Sequence, residues 1–199
     1  MTMAAWTTVP ALVGVHVRLE PLQAEHGTAL QVAVRDGELW RCWYGTVPDP
    51  EAMDGYIETA LQMQQRGTAL PFVVRGAQGA IVGTTRFYDI ARDVPRLNIG
   101  YTWYARRAQR TGINTEAKLL LLGHAFDTLG CIAVGFKTSW FNQPSRTALA
   151  RLGAKQDGVM RHHLRHRDGS IRDTVLFSIL DAEWPAVRRH LQARLEAYA

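Results

Sequence analysis

The stretch Tyr101–Lys118 (Tyr-Thr-Trp-Tyr-Ala-Arg-Arg-Ala-Gln-Arg-Thr-Gly-Ile-Asn-Thr-Glu-Ala-Lys), followed by the apolar run Leu119–Leu122, constrains the fold more than any other part of the chain. It reads as a strand, then a basic turn holding Arg106, Arg107, Gln109 and Arg110, then a helix. Thr111 and Gly112 let the backbone bend. Asn114 is placed as the N-cap of a helix running to Leu129, with Leu119, Leu122, Phe126 and Leu129 at helical spacing and Gly130 as its stop. A helix N-terminus carries free N–H groups and about half a positive charge. Arginines beside such an end form a cradle for pyrophosphate. Taken alone, Gln109-x-x-Gly112-x-Asn114 is a short pattern found in many loops, so its neighbours decide its meaning.

Residues 1–11 read as a loose lead-in and 12–199 as one domain, without internal repeat or linker. Val15–Leu19 alternates as a half-buried strand ended by Pro21. Ala24–Val34 is helical in composition and leads to the aromatic cluster of Trp40, Trp43 and Tyr44. That cluster is either a core patch or a wall of a substrate pocket. Pro50–Gln65 is a helix with a broad apolar face. Leu70–Arg75 and Ile81–Tyr88 are strands joined by a hairpin at Gly76–Gly79, and Asp89–Pro95 reads as a polar turn. Leu97–Tyr104 is a further strand. After the helix come a strand at Ile132–Trp140, a short helix ending near Leu152, two strands at Val159–Arg165 and Thr174–Leu180, and a last helix from Glu183 to Tyr198. Hairpins beside a crossover helix predict an α/β (α+β) fold with a mixed sheet.

The 199 residues suffice for one domain with a substantial core. Hydrophobic and charged fractions of 47% and 21% are those of a soluble globular chain. No apolar run reaches the roughly 20 residues that span a bilayer, and no secretory leader is evident. Cys42 and Cys131 match no metal or redox spacing, which favours a cytoplasmic setting. The net charge of +5 comes mainly from arginine, which suits planar recognition of phosphate, on a cofactor or on nucleic acid.

With these residues in view, the chain resembles the GNAT-superfamily N-acetyltransferases, and within them the ribosomal-protein N-terminal (alanine) acetyltransferase branch. The resemblance is carried by Val17-Arg-Leu-Glu-Pro-Leu22, Ile81-Val-Gly-Thr84, Asn98-Ile-Gly-Tyr101 and Gln109–Ala117. It continues through Lys137, Asn142-Gln-Pro-Ser145, Leu152-Gly153-Ala154, Asp168-Gly169, Arg172-Asp173-Thr174 and Glu183-Trp184-Pro185. It implies a single-domain GNAT fold whose mostly antiparallel central sheet splays to admit acetyl-CoA, with no metal. Backbone groups at Trp103, Tyr104 and Ala105 would take the pantetheine arm. The turn Gln109, Arg110, Thr111, Gly112, Ile113 and Asn114 would hold the pyrophosphate, and Asn142 and Ser145 would lie near the thiol. A homodimer is a further expectation of the resemblance.

Acetyl transfer to an amine needs an ammonium to lose a proton, an oxyanion to meet fixed donors, and a thiolate to be protonated. A backbone N–H around Trp103–Ala105 is the expected oxyanion donor. Ser145 is the candidate proton donor, with a helix-capping role as its alternative. Where the family often places a glutamate this chain has Asn98, and where it often places a tyrosine it has Leu149. An amide is no base. His162 or His163 is the candidate replacement, with ordinary surface histidines beside Arg161 and Arg165 as the alternative, and strand alternation lets only one of the pair face the cleft. Relay through water, or an α-amine of pKa near 7.7–8.0, needs no strong base. Trp40, Trp43, Tyr44, Phe87 and Tyr101 are the candidate acceptor wall. The expected activity is direct acetyl transfer from acetyl-CoA to a primary amine, either a protein N-terminus or a small molecule. Its competitor is a non-catalytic module binding acyl-CoA or nucleic acid, kept open by Asn98 and Leu149.

Overall fold

Alternating segments become strands and amphipathic ones helices, and together they build one sheet. The computed structural model describes residues 3–198. The strands are β1 (Leu12–Val13), β2 (Val17–Pro21), β3 (Ala69–Gly76), β4 (Ile81–Ala91), β5 (Arg96–Tyr104), β6 (Ala133–Ser139), β7 (Lys155–Arg165) and β8 (Ile171–Leu180). The helices are α1 (Gly27–Arg35), α2 (Met53–Gln65), α3 (Gly112–Gly123), α4 (Gln143–Leu152) and α5 (Trp184–Glu196). The strand order is β1-β2-β3-β4-β5-β6-β8-β7, and every neighbouring pair is antiparallel except β5 and β6.

Helices α1 and α2 cover one face, where Leu30, Val34, Met53 and Ile57 pack on Val73, Ile81 and Trp103. Helices α3 and α5 cover the other, where Leu121, Leu122, Trp184 and Leu191 join Phe72, Phe87, Ile99 and Phe177. Each such side chain, once fully buried, contributes about 1.5–3 kcal/mol. The lead-in is less loose than its sequence implies, because Trp6 and Val9 are buried in the larger core.

The parallel pair positions the site. Only Arg96, Leu97 and Asn98 pair with Ala133, Val134 and Gly135, although β5 continues to Tyr104 and β6 to Ser139. Past that rung the two strands part. The β5 wall stays locked to β4 and the β6 wall to β8, so a wedge opens inside the sheet. Backbone N–H and C=O groups along its walls lack a strand partner and must be satisfied otherwise.

Two irregularities in the β4–β5 ladder shape that wedge. Register shifts fall between Thr84 and Arg86 and between Tyr88 and Ala91. The first puts an extra residue on β5, where Tyr101 has φ 50°. The second puts one on β4, where Asp89 also has φ 50°. Left-handed non-glycine residues cost about 1–3 kcal/mol each and persist where the surroundings enforce them. Asp89–Ala91 thus belongs to β4 and not to the polar turn its composition indicates. Helix α3 likewise starts three residues early. Thr111 caps it, not Asn114, and beyond Gly123 a π-helical segment, His124–Thr128, carries the chain to Gly130.

Candidate active site

The turn after β5 is built by its own side chains. Thr111 Oγ1 accepts the Ile113 N–H at 3.3 Å and donates to the Ala108 carbonyl at 2.8 Å. Gln109 Nε2 donates to the Tyr104 carbonyl at 2.9 Å. These bonds hold Arg110 at φ 60° and start α3 at Gly112. Ile113 and Asn114 lie half-buried in its first turn. The expected arginine cluster is smaller than the sequence implies. Arg107 pairs with Asp36 at 2.9 Å and reaches the Ile81 carbonyl at 3.4 Å, so it ties the turn to the end of α1. Arg106 and Arg110 are exposed and form no ion pair among the described residues. A hollow of ≈ 300 Å³ lies beside this turn, against His16 and the β3–β4 hairpin, and no residue of β6 lines it.

A second device holds the start of α3. Glu116 is buried and accepts the N–H groups of Val15, His16 and Val17 at 2.9, 2.6 and 2.8 Å. A Cβ on Gly14 would stand 2.3 Å from its carboxyl carbon, so only glycine admits this approach.

The bulge at Tyr101 is braced from the α2 side. The Tyr101 carbonyl accepts from Tyr56 Oη at 3.3 Å and Thr84 Oγ1 at 3.2 Å. The fully buried Arg86 guanidinium lies 3.9 Å from the Tyr101 ring centroid and 4.9 Å from that of Tyr56. Elsewhere, Thr102 Oγ1 bonds Thr85 Oγ1 at 2.7 Å and accepts from Lys118 Nζ at 3.3 Å. Burial lowers the Lys118 pKa to about 7. One expected oxyanion donor is removed, because the Ala105 N–H is given to the Val82 carbonyl at 2.7 Å. The Tyr104 carbonyl is taken by Gln109, and the Trp103 and Tyr104 side chains are buried.

At the closed end of the wedge, Asn98 Nδ2 donates to Asp89 Oδ2 at 2.9 Å, and Lys137 Nζ reaches the same oxygen at 2.7 Å. His163 stands elsewhere. Its Nδ1 shares a hydrogen bond with Thr174 Oγ1 at 3.1 Å on the outer strand pair. Strands β6 and β8 separate it from β5, a spacing of about 14 Å. Strict alternation also fails at His162 and His163, since residues 161–163 bulge opposite Asp173 and His162 has φ 51°. Asp173 pairs with Arg161 at 2.5 Å, not with its neighbour Arg172.

At the other wall, α4 begins on Asn142, whose Oδ1 accepts the Ser145 N–H at 3.1 Å. The cap is therefore Asn142. Ser145 Oγ makes no hydrogen bond among the described residues. The aromatic cluster divides. Trp43 stands out from the surface against Phe141 and His166, at 5.1 and 4.8 Å between centroids, with Tyr44 at 5.6 Å. Arg167 ties this loop to the β7–β8 hairpin by donating to the carbonyls of Trp40 and Val47. Trp40 packs against the smaller core. Phe87 is no pocket wall. It is fully buried between Phe72 and His124, because it faces the α3 layer.

A family model for the acetyltransferase (GNAT) domain matches residues 16–155. The chain belongs to the GNAT acetyltransferase family. An acetyltransferase homologue from T. thermophilus is 33% identical, with 96% of this chain and 99% of that one covered and a TM-score of 0.84. A GCN5-related N-acetyltransferase from Brucella melitensis is 29% identical over 94% and 85% of the two chains, at 0.83. Mycobacterium smegmatis RimJ, solved in complex with CoA-disulfide, is 25% identical over 96% of each chain, at 0.78. A search of curated protein sequences finds no significant match. This GNAT protein is an acetyl-CoA-dependent N-acetyltransferase.

Its structure fits that donor substrate. The wedge leaves strand edges that the amides of a pantetheine arm can pair with, and the wedge opens toward the turn where α3 begins. Burial drives the Cys131 thiol up to about 12, which withholds it as a nucleophile and agrees with direct transfer. Among the described residues no group of His, Cys, Asp or Glu gathers into a metal site, and no helix is long and apolar enough to cross a membrane.

Proposed function

We propose that this acetyltransferase acts on the N-terminal α-amine of a polypeptide. The observation that carries the reading is the open aromatic rim. Trp43, Phe141, Trp140 and Tyr101 are 45, 52, 40 and 40% exposed. Tyr101 lies on the β5 wall, Trp140 and Phe141 follow the end of the β6 wall, and Trp43 packs on Phe141. Such a rim receives an extended chain end, whereas a small amine is held by enclosure. In this reading Arg106, Arg110 and the N–H groups at the start of α3 hold the pyrophosphate. Ser145 protonates the departing thiolate from the N-terminus of α4. The likeness to RimJ, a ribosomal-protein acetyltransferase, points the same way. A homodimer and a cytoplasmic setting are further parts of the proposal.

The test is a panel of short peptides with different first residues, set against polyamines and aromatic amines, with release of free CoA thiol as the readout. Peptides with free N-termini are expected to turn over and the same peptides blocked at that position are not. Turnover confined to small amines overturns the reading.

A further inference from the structure

The geometry points to Asp89 as the catalytic base that, through one water, takes the proton from the acceptor ammonium. The position where the family resemblance implies a carboxylate is Asn98 here, and an amide accepts no proton at neutral pH. The structure supplies the missing carboxylate from the neighbouring strand. Tyr88 is the cross-strand partner of Asn98, so regular pleating would turn Asp89 to the opposite face. The bulge at Asp89, with φ 50°, turns its carboxylate back onto the Asn98 side.

Two restraints then fix it. Asn98 belongs to the last paired rung of β5, and Lys137 lies on the part of β6 that has already parted from β5. A carboxylate bonded to both stands across the closed end of the wedge. Both contacts use Oδ2, which leaves Oδ1 without a hydrogen-bond partner among the described residues. The Asp89 side chain is about half exposed at 54%, so water reaches it. The ionisable groups around it are Lys137 on β6, Tyr88 on β4 and, beyond Tyr88, Arg172 on β8. Burial and the Asp89 charge raise the Tyr88 pKa, so Tyr88 is a neutral neighbour and no competing base.

The step balances simply. The ammonium gives one proton through water to Asp89 Oδ1, which passes it to solvent. The amine lone pair forms the C–N bond at the thioester carbon, and the carbonyl electrons move to oxygen. Collapse of this adduct breaks the C–S bond, sulfur keeps the pair and takes the Ser145 hydroxyl proton, and the second nitrogen proton restores the hydroxyl. This role is the same for any primary amine and does not depend on the polypeptide reading.

Asp89→Asn is the direct test, since asparagine tolerates left-handed φ as aspartate does. The probes are an alanine-starting hexapeptide, mostly protonated at pH 6.5, and hydroxylamine, which is largely neutral there. If the wild type does not acetylate the peptide, the polypeptide reading fails and propargylamine, a small amine also protonated at pH 6.5 and mostly neutral by pH 9, replaces it in the same comparison. We expect kcat to fall about 10²-fold with the protonated amine. Hydroxylamine should be acetylated about as fast as by wild type, and the deficit should close by pH 9. Acetyl-CoA affinity should not change. Equal losses with both amines, a deficit that persists at pH 9, or no loss at all would overturn the assignment.

Discussion

Asn98 and Gly135 face one another on the last rung before β5 and β6 separate, and Asn98 Oδ1 lies 2.2 Å from where a Cβ on residue 135 would stand. Glycine is needed there because Asn98 occupies the space of its side chain. Gly135→Ala should push Asn98 aside and loosen its hold on Asp89. Misplacement of this size costs turnover more than affinity, with kcat falling about tenfold. Isothermal titration should find acetyl-CoA affinity unchanged, and unaltered kcat would show that the Asn98 position does not matter.

Ser145 presents a free hydroxyl because Asn142 performs the capping. Ser145→Ala should therefore lower kcat by about 10²-fold, as loss of a general acid does. The thermal midpoint should barely move. Steady-state kinetics beside a melting curve checks both parts, and full activity would remove Ser145 from the chemistry.

Glu116 carries three backbone N–H bonds from the β1–β2 turn. Glutamine offers one acceptor oxygen and no charge, so Glu116→Gln should cost about 2–3 kcal/mol. The urea midpoint should fall with an unchanged slope. Hydrogen exchange at residues 15–17 should accelerate more than in the strands of the sheet centre.

Lys118 gives a pH-dependent prediction. Its amine titrates at about 7 in the folded protein, lowered from 10.5 by burial. Between those values the unfolded chain holds more protons, so stability rises with pH there, and the cost of burying this amine is greatest at and below pH 7. Lys118→Met should then stabilise by an amount on the order of 3 kcal/mol at pH 6.5 and by much less at pH 9.5. Melting curves at the two pH values decide it. An equal gain at both, or a loss at pH 6.5, would contradict the buried neutral amine.

What the sequence determined by itself was the kind of fold and the place of the donor turn. Period-two alternation at Leu97–Tyr104, helical spacing after Gly112 and turn residues between them are local properties, and local physics settles them. Boundaries were harder. Thr111 and Asn114 are both good caps by type, and only the bond from Ile113 to Thr111 chose between them.

The ionisable residues that shape the site were decided by tertiary structure. Asp89 reads as part of a polar turn, because a bulge breaks the alternation that would have marked β4. Glu116 and Lys118 sit in a helix like ordinary surface residues until β2 and β5 close over them. Phe87 has the chemistry of a pocket wall, yet the face on which its strand places it sends it to the core. Residue type fixes what a side chain can do. The partners that surround it come from segments distant in sequence, and these decide which of those capacities is used.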